Sequence, residues 1–205
     1  MLKAILWDID GVIIRHQDYF HTQLEKDNYY KPQEILNEFR TTKLNNACDQ
    51  GLLDPLISIM PFLERIGWNK SSEEYFDKQY EYEDKYIDDS LIERIQLIRA
   101  KNIKCYIASN QNYYRKEHLI HRLNLNTKFD GFIFSYDLNA VKTEDKYWEL
   151  LKEIMTREDI RIHELLFLDD METNTKKASE HGILSKIINT EDDINEVFMS
   201  LGICG

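Results

Sequence analysis

The sequence predicts an α/β fold, with a core of about five parallel strands and a block of helices inserted after the first strand. Three observations carry this. Short apolar runs recur along the chain, as expected for strands covered on both faces. Amphipathic helical patterns separate these runs from residue 88 onward. Between residues 15 and 87 the alternation stops, and only helical patterns remain.

The first run, residues 2–8, ends in Asp8-Ile9-Asp10-Gly11. Further strands are predicted at 104–109, 131–135, 164–169 and 185–189. A helix at 90–101 puts Leu91, Ile92, Ile95 and Ile98 on one stripe. Thr143 reads as the N-cap of a helix carrying Tyr147, Trp148, Leu150, Leu151 and Ile154. Thr190 reads as the cap of a last helix with Ile194, Val197, Phe198 and Leu201. Residues 1–14 and 88–205 thus form the α/β core, and 15–87 the helical insertion. The insertion has helical patterns at 32–49, 54–66 and 71–86. Its acidic, tyrosine-rich stretch at 73–89 reads as a solvated face with partly packed rings.

Composition narrows the function classes. A formal charge of -11 disfavours nonspecific binding to nucleic acid or to an anionic membrane. No apolar run is long enough to span a bilayer, and the first residues lack the pattern of a signal peptide. A cytoplasmic location and a monomer are the default expectations. Cys48, Cys105 and Cys204 fit neither a zinc spacing nor a disulfide framework, and read as reduced thiols.

Open α/β sheets place their sites at the carboxyl ends of strands. Three predicted strands end in polar groups there: Asp8 with Asp10, Ser109 with Asn110, and Asp169 with Asp170. Taken alone, Asp-x-Asp-Gly is a common strand-ending turn. If the acidic strands are neighbours, however, their charges converge and call for a cation or raised pKa values. Oxygen-only ligands favour a hard ion, and magnesium suits a site shared with a substrate phosphate. Ser109 and Asn110, with the backbone N–H groups that follow, can hold phosphate oxygens. Lys142 can reach a phosphate and offset the charge of a nucleophile.

Together the segments Ala4–Ile13, Ile107-Ala108-Ser109-Asn110, Lys142, and Leu166–Asn174 resemble the four motifs of the haloacid dehalogenase-like hydrolases, in their order and over nearly the whole chain. The resemblance is to the branch with a helical cap after the first core strand, and it implies a Rossmann-like core. It also implies roles. Asp8 would attack phosphorus to give an aspartyl-phosphate. Asp10 would protonate the leaving oxygen and then activate water. Asp8, the backbone carbonyl of Asp10, and Asp170 would hold Mg2+, with Asp169 assisting through water or from behind the ligands. Ser109, Asn110 and Lys142 would bind the phosphoryl group, and Asn174 would brace the acidic loop.

One departure stands out: Thr143 follows Lys142 where many relatives have proline. Relatives that attack carbon typically lack the second aspartate, so Asp10 points to phosphorus. The leading expectation is a phosphatase for a small phosphorylated metabolite. A sugar phosphomutase, or a relative that binds phosphate or a protein without turnover, remains open. The insertion would select the leaving group. Arg40, Lys43 and His16 are possible contacts there, although each reads first as a solvent-exposed residue, while His21 and Tyr19 are open between contact and packing.

Overall fold

A computed structural model describes residues 2–203. Its sheet has five strands: β1 (Ala4–Trp7), β2 (Lys104–Ser109), β3 (Gly131–Phe134), β4 (Leu165–Asp169) and β5 (Leu184–Ile187). All pair in parallel, in the order β3-β2-β1-β4-β5. Every residue of β1 and β4 is buried, which explains their unbroken apolar character. In register, Trp7 lies opposite both Ile107 and Leu168. The next residues, Asp8 and Asp169, therefore stand side by side at the carboxyl ends, where the chain leaves the central strand in both directions.

Eleven α-helices accompany the sheet among the described residues. The first five precede β2: α1 (Phe20–Lys26), α2 (Pro32–Arg40), α3 (Lys43–Asp49), α4 (Pro55–Ile66) and α5 (Ser72–Asp84). The others are α6 (Asp89–Arg99), α7 (Tyr113–Glu117), α8 (Ser135–Leu138), α9 (Asp145–Arg157), α10 (Glu172–Glu180) and α11 (Glu191–Ser200). One face of the sheet packs on Ile95 and Ile98 of α6 and Val197 and Phe198 of α11. The other packs on Tyr147, Trp148 and Leu151 of α9 and Ala178 of α10. Helices α1–α5 close a separate cluster built on Phe20, Leu36, Phe39, Phe62, Leu63, Tyr75 and Phe76. No helix among the described residues is long and apolar enough to cross a membrane.

Several local expectations need correction. The pattern at 32–49 is two helices. The Thr41 and Thr42 hydroxyls donate back to the carbonyls of Asn37 and Phe39, and Thr42 turns extended, so α2 stops there. Glu144, not Thr143, is the N-cap of α9. Its N–H closes a turn onto Val141, which delays the helix by one residue. Ser135 leaves β3 and opens α8. The tyrosine-rich helix α5 is not merely a solvated face, since Tyr75, Phe76, Tyr80 and Glu83 are buried. Other ends match their sequence signals. Asp54, Ser71 and Thr190 cap α4, α5 and α11 with their side chains. Cys48 and Cys105 are buried free thiols, and Cys204 lies outside the described residues.

Candidate active site

The carboxyl ends of β1, β2 and β4 open into a cavity of about 540 Å³, roofed by helices of the insertion. Asp8 continues the sheet by donating its N–H to the Leu168 carbonyl. Its carboxylate accepts from the Ile9 N–H at 2.8 Å and meets the Lys142 Nζ at 2.8 Å. Asp10 is placed by a turn beyond the strand end. The chain turns over Ile9–Ile14, and Gly11 adopts φ +85°, a conformation that disfavours any side chain. Added bulk is excluded as well, because a Cβ at Gly11 would collide with the Asp170 carboxylate.

Lys142 is the central cation. Its Nζ lies 2.8 Å from Asp8 and 2.5 Å from Asp169, and only 2% of its side chain is exposed. Burial works against that ammonium, but the two carboxylates overcome it and push its pKa up to about 12. Burial pushes the Asp8 carboxyl well up, with Lys142 opposing and Asp169 adding to the rise. Burial and Asp169 likewise raise Asp170. One ammonium therefore faces three carboxylates.

Oxygen atoms of Asp8, Asp169 and Asp170 can be chosen within 4.8 Å of one another. An all-oxygen donor set with excess negative charge fits a hard divalent cation. Asp169 is the least free of the three. It is fully buried and accepts from the Met171 N–H, Lys142 and both reaches of the Asn174 amide. Asn174 thus braces the acidic loop.

Around this cluster stand the other residues expected from sequence. Ser109 is 2% exposed, and its Oγ accepts from the Gln111 amide at 3.0 Å, leaving its own proton free to donate. Asn110 accepts from the Lys142 N–H at 2.9 Å through Oδ1. Its Nδ2 has no partner among the described residues. The Asp10 carboxylate is gripped from two sides, by His16 Nε2 at 3.2 Å and by the Gln111 amide at 2.7 Å. Burial pulls its pKa upward, but His16, Arg115 and Gln111 together hold it well below the usual carboxylate range.

Of the insertion residues, His16, Tyr19, His21 and Arg40 line the cavity, whereas Lys43 does not. Four further residues were not singled out by sequence. Gln111 links Asp10 to Ser109. Ser135 accepts from the Gln111 N–H and donates to the Asp49 carbonyl, tying the core loop to α3. Asp49 faces the cavity, its carboxyl raised to about 7 by burial and by Asp10. Arg115 is 3% exposed and lies 3.5 Å from Glu83 and 3.7 Å from Asp84. Only Gln111 had a usable signal, since it directly follows Ser109-Asn110.

A parallel α/β sheet with acidic strand ends, a buried lysine and a helical roof defines the class of fold. The chain belongs to the haloacid dehalogenase-like hydrolase family, whose model matches residues 2–182. Solved structures agree on the fold. A HAD family enzyme of Bacteroides thetaiotaomicron, in complex with magnesium and inorganic phosphate, is 21% identical. The match covers 97% of this chain and 100% of that one, with a TM-score of 0.74. A HAD-like family hydrolase of Porphyromonas gingivalis is 18% identical, covers 98% of each chain and has a TM-score of 0.74. The magnesium-bound HAD-hydrolase YfnB of Bacillus subtilis is 16% identical, with 98% and 99% covered and a TM-score of 0.65. No curated protein matches the sequence.

Proposed function

We propose that this chain is a magnesium-dependent phosphatase that hydrolyses phosphate monoesters of small metabolites through an aspartyl-phosphate. The observation that carries this is a convergence. Asp8 meets a buried ammonium, and the same cavity is lined by the buried Ser109 hydroxyl and by a second carboxylate, Asp10, which Gln111 ties to that hydroxyl. An attack on carbon would need no Asp10. The magnesium and phosphate bound by the Bacteroides enzyme support the same reading.

In this reading an Asp8 oxygen attacks phosphorus as the bond to the leaving oxygen breaks. Ser109, the Asn110 amide and Lys142 hold the equatorial oxygens, whose charge they offset. Asp10 gives its proton to the leaving oxygen. A dianionic phosphoryl group beside Asp10 raises its pKa by like-charge repulsion, the state in which it can donate. Asp10 then takes a proton from water as that water attacks the aspartyl-phosphate, releasing phosphate and restoring Asp8. Asp8, the Asp10 carbonyl and Asp170 would hold Mg2+, with Asp169 behind them; bound there, the ion polarises a phosphoryl oxygen and balances the excess carboxylates. Residues 15–87 act as the cap that encloses the leaving group and excludes water.

The test is hydrolysis of an aryl phosphate with and without magnesium. Wild type turns it over only with the metal, and Asp8→Asn lowers kcat by about four orders of magnitude or more. Absence of turnover on any phosphate ester in a broad panel would sink the enzyme reading. Turnover that survives Asp8→Asn would sink the nucleophile.

A further inference from the structure

The cavity wall opposite the strand ends holds a cation with no acid partner. Three cationic side chains of Arg or Lys line the cavity. Lys142 is engaged by Asp8 and Asp169, and Arg115 faces Glu83 and Asp84. Arg40, an exposed residue at the end of α2 that lines the cavity, has no carboxylate within ion-pair distance among the described residues. What holds it is a ring: its guanidinium carbon lies 4.5 Å from the Tyr19 centroid.

Tyr19 is itself fixed by stacking. Its ring lies 5.2 Å from His16 and 5.4 Å from His21, at interplanar angles of 27° and 25°. The shelf therefore runs without a break from Arg40 through Tyr19 to His16, whose Nε2 touches Asp10. The His16 side chain is 8% exposed, and its Nδ1 is buried without a partner. One end of the shelf is thus at the carboxylate that serves the leaving oxygen. The other end is a guanidinium that is free to pair.

We propose that Arg40 anchors a second anion subsite, and that the natural leaving group carries a second acidic group, a carboxylate or another phosphate. This rests on the phosphatase reading and names its substrate class. A leaving group bound by its ester oxygen at Asp10 and lying along the shelf brings its far end to Arg40. Asn45 and Gln79 also line the cavity. Asn45 donates to Asp49 and Gln79 donates to Glu83, which leaves both amide carbonyls as acceptors suited to hydroxyl groups. The class is a hydroxylated metabolite that bears the scissile phosphate at one end and an acid at the other. A planar guanidinium recognises carboxylate and phosphate alike.

The experiment compares matched esters on the full chain with magnesium. Glycerol 3-phosphate against 3-phosphoglycerate tests a carboxylate, and fructose 6-phosphate against fructose 1,6-bisphosphate tests a second phosphate. Wild type favours the acidic member of at least one pair by about tenfold in kcat/KM, and the pair that responds identifies the acid. Arg40→Gln brings that ratio close to one by raising KM for the acidic ester, and Arg40→Lys retains part of it. Arg65→Gln, an exposed change on α4 away from the cavity, leaves the ratio intact. The proposal is overturned if wild type shows no acidic preference in either pair, or if the preference persists in Arg40→Gln. It is also overturned if nucleoside monophosphates outrun every acidic ester, which would make the shelf a platform for a base. Failure of an aryl phosphate to react at all is a different result, and removes the underlying reading instead.

Discussion

The two halves of the cavity are built on different principles. On the core side, each polar group is fixed by the backbone of a sheet or by a turn leaving it. Asp8 is held by a ladder hydrogen bond, and Asp169 by register against it. Their charges are compensated by Lys142. On the insertion side, the polar groups sit on helices whose main constraint is an aromatic cluster. Arg40 has no acid partner, and Asp49 has no cation beside it in the ion pairs of the described residues. The difference teaches that a rigid sheet can hold charges close enough for chemistry, while packed helices can vary their cavity-facing residues without disturbing the fold.

The sharpest way to break this contrast is to remove the compensating charge on the core side. Lys142→Met leaves Asp8 and Asp169 buried without their ammonium. The expected loss is about 3–5 kcal/mol of stability, measured by urea denaturation without magnesium. Adding Asp8→Asn to Lys142→Met restores part of it, because one uncompensated carboxylate is gone. If Lys142→Met is nearly neutral, the core side is no better compensated than the cap side.

A middle-sized effect tests the seam between the halves. Arg115 on α7 faces Glu83 and Asp84 at the end of α5, with its guanidinium 4.8 Å from the Tyr80 ring. His118 reaches Asp84 at 2.9 Å beside it. Burial already raises the Glu83 carboxyl, and Arg115 opposes that. Arg115→Met is expected to cost about 2–3 kcal/mol. Hydrogen exchange should accelerate in α1–α5 while β1 and β4 stay protected. Equal acceleration in both would mean that the halves do not open separately.

The same contrast explains what the sequence could reveal. β1 and β4 were readable because unbroken apolar runs ending in paired acids combine burial with a strand-end position. Lys142 was readable only in relation to those acids, since nothing local marks it. Thr143 misled because a hydroxyl before a helix is a common cap, and only the Val141–Glu144 turn displaces it. Asp49, Glu83 and Arg115 were not legible. They belong to helices with many charged residues, and which charge turns inward is decided by tertiary packing. The break at Thr41-Thr42 was hidden for a similar reason, since two threonines are compatible with a helix until their hydroxyls bond back to the preceding turn.

The smallest expected effect concerns Asp49, an acid of the insertion that has no ion pair among the described residues. Its carboxyl is raised from an ordinary 3.8 to about 7, by burial first and Asp10 second, while Asn45 opposes through a 3.0 Å hydrogen bond. A folded-state pKa above the unfolded one means that the folded chain binds more protons between those values. Stability therefore falls as pH rises from about 4 to about 7, and the full penalty is present above 7. Asp49→Asn removes the titration and keeps an oxygen for the Asn45 amide. The variant should match wild type at pH 4 and exceed it by about 1 kcal/mol at pH 8, a figure reduced for the partial exposure of the group. Thermal unfolding at the two pH values measures this directly. A gain of equal size at both would show that Asp49 is compensated after all, and the cap side of the cavity would then follow the rule of the core.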